Sequence, residues 1–199
     1  MAILGKEIRK KTKLPLGVNV LWNDYRVSLS LAKLLNLQFI RVPVFVDKVR
    51  ASCGVIEGNP QAVLKTRRDL KAEQVAIFTD IHVKHAVLVS RDTIRASASL
   101  AKKYQADAVI VTGKWTGDAP ALNDLKQVRE ALGDNFPVLA GSGADSRNIR
   151  RLLRYASGVI ISTSLKKGGK KQDETNVKTY NQRIDQKKVR SLIRGLTEN

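Results

Sequence analysis

The chain has 199 residues, 43% hydrophobic and 27% charged, which is enough to bury one core and excludes wholesale disorder. Its charge is lopsided: 36 Lys and Arg oppose 18 Asp and Glu, a formal net charge of +18, which favours polyanionic partners. The one cysteine, Cys53, excludes an internal disulfide, and there is neither an apolar run of roughly twenty residues nor a signal peptide after the basic start, so the expectation is a cytoplasmic, soluble protein.

In chain order, residues 1–13, with "AILGKEIRKKTK" as their bulk, read as a leading helix. Short apolar, β-branched runs then alternate with stretches of helical period, the pattern of a parallel sheet with crossover helices. The expected strands are 16–21, 39–46, 75–81, 107–112, 137–141 and 158–162, and between them 25–35, 60–71, 93–104, 122–132 and 146–156 read as helices. In the last of these, Ser146 or Asp145 is the candidate N-cap, which would put free backbone N–H groups just after "AGSG". Residues 166–185 read as a basic polar loop and 186–199 as a C-terminal helix packing through Val189, Leu192, Ile193 and Leu196. The whole reads as a single domain, with six β/α units over 14–165.

In parallel β/α folds, functional residues gather at the carboxyl ends of strands. The unusual polar residues of this chain fall there: Asn19 and Asn23 at the first, Arg41 in the second, and "DIHVKH" at the third. Thr112 and Gly113 follow the fourth, Gly141, Ser142 and Gly143 the fifth, and Ser162, Thr163 and Ser164 the sixth. The last two loops combine glycines that admit an anion with hydroxyls that can bind it, the composition of a phosphate site.

Alternation along the third strand puts Asp80, His82 and Lys84 on one face, with His85 on the other. Asp80 or His82 can serve as acid or base, and Lys84 can stabilise an enolate or phosphate, or form a Schiff base if burial depresses its pKa. A solvated strand end is the bland alternative for Lys84 and His85. Asp80 and His82 supply two metal ligands where at least three are needed, so no metal and no cofactor is expected. Trp22 and Trp115 read as partial core, and Glu57 as a residue that reaches a site or caps the next helix.

In order, "LPLGVNVLWND", "FIRVPVFV", "GVIEG", "DIHVKHA", "ADAVIVTGKWTG", "VLAGSGAD" and "GVIISTSLK" resemble the BtpA family, with "DIHVKHA" the most specific piece. The resemblance implies a fold like the phosphate-binding TIM barrels, and a family whose members are linked to photosystem I biogenesis or found beside sugar-metabolism genes. It also implies two departures. Ser162 stands where the family usually carries glycine, and family sequences place two β/α units ahead of the stretch matching "LPLGVNV".

The fold expected is therefore an incomplete TIM-type (β/α) barrel of about six parallel strands, shorter than the roughly 250 residues of a closed one. A homo-oligomer or completing subunit would cover the open side. The function expected is binding of a phosphorylated small molecule, with Asp80, His82 and Lys84 at the reacting end of any sugar-phosphate chemistry. The alternatives are a noncatalytic biogenesis factor for a membrane complex, docking through acidic proteins or a membrane surface, and salt-sensitive nucleic-acid binding by the basic face.

Overall fold

The computed structural model describes residues 1–90, 92–168 and 183–197. Its elements are α1 (Ala2–Lys11), β1 (Gly17–Val18), α2 (Tyr25–Leu34), β2 (Phe39–Val42), β3 (Lys48–Ala51), β4 (Gly54–Glu57), α3 (Pro60–Asp69) and β5 (Ala76–Ile81). They continue with β6 (Val87–Leu88), α4 (Ile94–Lys103), β7 (Ala108–Val111), α5 (Leu122–Leu132), β8 (Val138–Ala140), α6 (Ile149–Leu152), β9 (Gly158–Val159), a 3-10 turn (Thr163–Leu165) and α7 (Gln186–Thr197). Most of the loop expected at 166–185 lies outside the described residues, as do Lys170 and Lys171.

Six parallel strands, ordered β1-β2-β5-β7-β8-β9, form a curled half-barrel alternating with helices: the parallel sheet that the periodicity predicts, in the incomplete TIM-type form that the family resemblance implies. Strand β5 shows why. Ile77, Thr79 and Ile81 are buried, and the helix-facing side of the sheet meets α2 to α5 in one core containing Leu29, Ala98, Val109 and Leu125. The alternate residues Phe78 and Asp80 belong to the concave side, where Phe78 stacks on Phe39 with ring centroids 4.6 Å apart. Strand β7 is buried along its whole length, as expected for a central parallel strand. The edge strands β1 and β9 pair on one side only and shrink to two residues each, well short of the expected 16–21 and 158–162.

Helix starts follow local capping chemistry. Asp24 accepts the N–H of Val27 at 3.0 Å, Asn59 that of Ala62 at 3.0 Å ahead of Pro60, and Thr93 that of Ala96 at 3.2 Å. The fifth expected helix departs from its prediction: α6 is a single turn over 149–152 rather than 146–156. The Asp145 carboxylate accepts the N–H groups of Arg147 and Asn148 at 2.8 and 3.1 Å and holds a turn there, which delays the helix. Helix α7 also docks less fully than expected. Leu192 is buried, but Ile193 and Leu196 are exposed, and Arg150 Nε donates to Gly195 O at 2.7 Å.

A second sheet, antiparallel and ordered β4-β3-β6, was not expected at all. It grows out of the loops that follow β2 and β5, so it stands beside the carboxyl ends of the strands. Val44, Val49 and Val83 form a small core under it, joined by Trp22 and Leu88. Glu57 belongs to this sheet and pairs with Lys48 at 2.8 Å across the hairpin, so it neither caps α3 nor reaches a site. No helix among the described residues is long and apolar enough to cross a membrane.

Candidate functional site

Two cavities meet at the carboxyl end of the half-barrel. The larger, about 660 Å³, is lined by Gly141 to Asp145 and by Ser162, Thr163 and Ser164, with Lys166 and Lys188. The second, about 520 Å³, holds Asn19, Trp22, Asp80, His85 and Trp115. Leu21, Arg41, Lys84 and Thr116 line both. Both volumes fall in the usual range for small-molecule sites.

At the junction, Arg41 on β2 meets Asp80 on β5 in a fork, Nε to Oδ1 at 2.7 Å and Nη2 to Oδ2 at 2.6 Å. Burial pushes the Asp80 carboxyl above its ordinary range, against the opposing effects of Arg41 and Lys84. The Arg41 guanidinium is raised despite its own burial, because Asp80 bonds it. Such a bidentate fork fixes both side chains at the junction of the two cavities.

Lys84 stands beside this pair. Its backbone N–H donates to Thr112 Oγ1 at 3.1 Å, fixing the loop end to β7. Burial lowers its pKa first, the charge of Arg41 lowers it further, and Asp80 and Asp118 offset part of this. Among the described residues no carboxylate comes within ion-pair distance of its amine.

The expected face of Asp80, His82 and Lys84 breaks at His82. Strand β5 ends at Ile81, and His82 takes a left-handed backbone, φ +49°, so strand alternation no longer applies. Its side chain lines a separate cavity of about 250 Å³ with Lys114 and Asp124, and its Nε2 is buried without a hydrogen-bond partner. His85, also left-handed at φ +62°, is the histidine that lines the site, with Nε2 2.9 Å from Thr116 Oγ1 and its ring 5.5 Å from that of Trp115. Trp22 and Trp115 accordingly wall the second cavity rather than serving only as core.

Several residues expected to bind ligand are occupied in holding loops together. Asn23 clamps Val44 in both directions, Nδ2 to O at 2.7 Å and N to Oδ1 at 3.0 Å. Ser142 Oγ accepts Gly113 N at 3.2 Å and donates to Asp118 O at 2.5 Å, and Ser164 Oγ donates to Ala144 O at 2.6 Å. Gly113 and Gly143 are required by packing: a Cβ on either would strike the backbone of Asp118 and Ala119. A Cβ on Gly141 would instead meet the side-chain methyls of Ile110 and Thr112. Asn19 lines the second cavity with a buried Oδ1 that has no partner, while Ser162 and Thr163 line the first. The single turn of α6 is too short to serve as a helix N-terminus here, and the N–H groups just ahead of it, on Arg147 and Asn148, go to the Asp145 carboxylate, while that of Ile149 goes to Asp145 O. Burial raises the pKa of that carboxyl, but the hydrogen bonds from Arg147 and Asn148 outweigh it and hold the group below the ordinary carboxylate range.

Two contributors were missed from the sequence. Lys188 comes from α7 and donates to Lys166 O at 2.6 Å, bringing two ammonium-bearing residues to one wall. Only the fold brings them there, because more than twenty positions separate them. Asp47, 4% exposed, accepts His82 N at 2.8 Å and Ser97 Oγ at 2.6 Å, tying the second sheet to the end of β5. Asp47→Ala is expected to cost about 1–3 kcal/mol for each donor left unmet, read as a lowered urea midpoint. A midpoint equal to that of the parent would show that the tie carries no stability.

Comparison with known proteins places this geometry in context. By structure, the chain is similar to phosphoribosylanthranilate isomerase from Pyrococcus furiosus, with TM-score 0.62 and 16% identity over 98% of this chain and 80% of that one. Thiamine phosphate pyrophosphorylase from Pyrococcus furiosus gives TM-score 0.61 and 14% identity over 98% and 75%. At these identities the likeness concerns the fold. By sequence, it is 35% identical to the photosystem I biogenesis protein BtpA of Synechocystis across all of this chain and 66% of that protein. An uncharacterized protein of Methanocaldococcus jannaschii is 36% identical over 89% of this chain and 66% of its own length. The chain thus spans about two thirds of the length of these relatives. With the BtpA family model matching residues 1–198 as well, the chain belongs to the BtpA family.

Proposed function

We propose that the chain binds a phosphorylated small molecule in the larger cavity and supports proton-transfer or carbon-carbon chemistry at Lys84. One observation carries this reading. Of the charged residues lining that cavity, Arg41 is answered by Asp80 and Asp145 by Arg147, while Lys84, Lys166 and Lys188 have no carboxylate in ion-pair range of their amines among the described residues. A concave site with surplus cations and the hydroxyls of Ser162 and Thr163 suits a phosphate ester. The names of the two structural neighbours, one a phosphoribosyl compound's isomerase and the other a thiamine phosphate enzyme, support the same substrate class.

Calorimetry with ribose 5-phosphate, ribose and inorganic phosphate tests it. The expected result is binding of the two phosphates and not of ribose. Lys188→Ala should weaken ribose 5-phosphate about tenfold or more, the equivalent of one lost charge-assisted hydrogen bond. No phosphate-dependent heat, or affinities unchanged in Lys84→Ala, Lys166→Ala and Lys188→Ala, would remove the reading.

A further inference from the structure

Lys84 occupies an unusual place. It lines the two cavities of the site and also the third cavity behind His82, whereas Lys166 and Lys188 line only the larger one. A ligand whose phosphate sits with Lys166 and Lys188 therefore has its carbon chain running past Lys84 toward the lobe walled by Trp22, His85 and Trp115. Thr112 fixes the backbone of Lys84, and the adjoining cation, Arg41, is locked to Asp80 and cannot act as a nucleophile.

We propose that Lys84 forms an imine with the carbonyl carbon of an aldehyde- or ketone-bearing phosphate ester. This rests on the phosphate reading above and adds to it a substrate class, carbonyl phosphates, and a covalent step. An unpaired amine in a partly desolvated site is the arrangement that keeps lysine nucleophilic. Burial and the neighbouring Arg41 charge both lower the pKa of this amine, while the positions of Asp80 and Asp118 limit the effect.

The step balances without an oxidant or reductant. The amine lone pair attacks the carbonyl carbon, a C–N bond forms, and the carbonyl π pair moves to oxygen, which takes up a proton as the nitrogen loses one. The carbinolamine hydroxyl then takes a further proton and leaves as water, giving the iminium. Hydrolysis reverses both stages. The iminium withdraws electrons from the adjacent carbon, which favours loss of a proton or cleavage of a carbon-carbon bond there.

The test is reductive trapping on the unmodified chain. Dihydroxyacetone phosphate and glyceraldehyde 3-phosphate are each incubated with the protein, sodium borohydride is added, and adducts are counted by intact mass and located by peptide mapping. The expected result is one adduct per chain on Lys84, formed about tenfold or more faster than on any exposed lysine, because the free-amine fraction near neutral pH rises as the pKa falls. Lys84→Arg should lose the adduct, with a melting temperature close to the parent's showing that the chain still folds. Adducts spread evenly over surface lysines, or an ester that binds but leaves no trapped adduct, would overturn the imine while leaving the phosphate reading intact. Trapping on Lys84 by unphosphorylated glyceraldehyde at the same rate as by its phosphate would support the imine and instead sink the phosphate reading.

Discussion

Arg41→Met is expected to lower stability by about 3–5 kcal/mol at pH 7, since it strips the partner from a buried carboxylate. Asp80 has a fully buried side chain, and its lowering influences come first from the Arg41 hydrogen bonds and charge. Without Arg41 the folded-state pKa of Asp80 climbs further above its unfolded value. A group raised in this way penalises the fold above the folded pKa and stops doing so below the unfolded one. The deficit of Arg41→Met relative to the parent should therefore narrow as pH falls from 7 toward 4. Asp80→Asn has no carboxyl at this position, so its deficit should not narrow through that route. Urea unfolding of both variants at the two pH values measures the difference. Parallel deficits at both pH values would mean that the fork does not act as an electrostatic lock.

Gly143→Ala is the second large effect. Gly143 has φ +64°, and an added Cβ would lie 2.1 Å from Ala119 N and 2.3 Å from Asp118 C. Backbone atoms cannot step aside as a flexible side chain can. The expected loss is about 2–5 kcal/mol, combining left-handed strain with overpacking. The substitution should also part the two loops that Ser142 joins through Gly113 and Asp118, and so weaken ligand binding. Gly133→Ala isolates backbone strain, since Gly133 has φ +79° and ψ 168° with open space around it, and should cost about 1–3 kcal/mol. Thermal melting of the two variants separates collision from strain. Equal losses would show that the contact with Ala119 relaxes freely.

The parallel sheet was legible because burial on both faces leaves compact apolar runs, and "VAIFTDI" and "DAVIVT" are such runs, while its opening into a half-barrel was implied by the family resemblance. The strip of site residues at the strand ends was legible for the same reason: once the strands are placed, the residues that follow them must border the mouth. The second sheet was not. Its strands over 48–51, 54–57 and 87–88 are short, the first two mix charged with apolar residues, and the pairing of β3 with β6 joins loops far apart in the chain. The shortened α6 escaped too, because a carboxylate that makes a turn and one that caps a helix look alike in sequence.

The parallel β/α alternation and the polar residues at the strand ends were readable from the chain, because periodicity and local composition are set by neighbouring residues; the family was readable from its ordered motifs. Which polar residues share a cavity depended on the fold: it paired Asp80 with Arg41, turned His82 away, brought His85 in, used Asn23 and Ser142 to hold loops, and delivered Lys188 from α7. Where a strand ends, the backbone torsions are free to leave the alternating pattern, and long-range contacts then set the direction of each side chain.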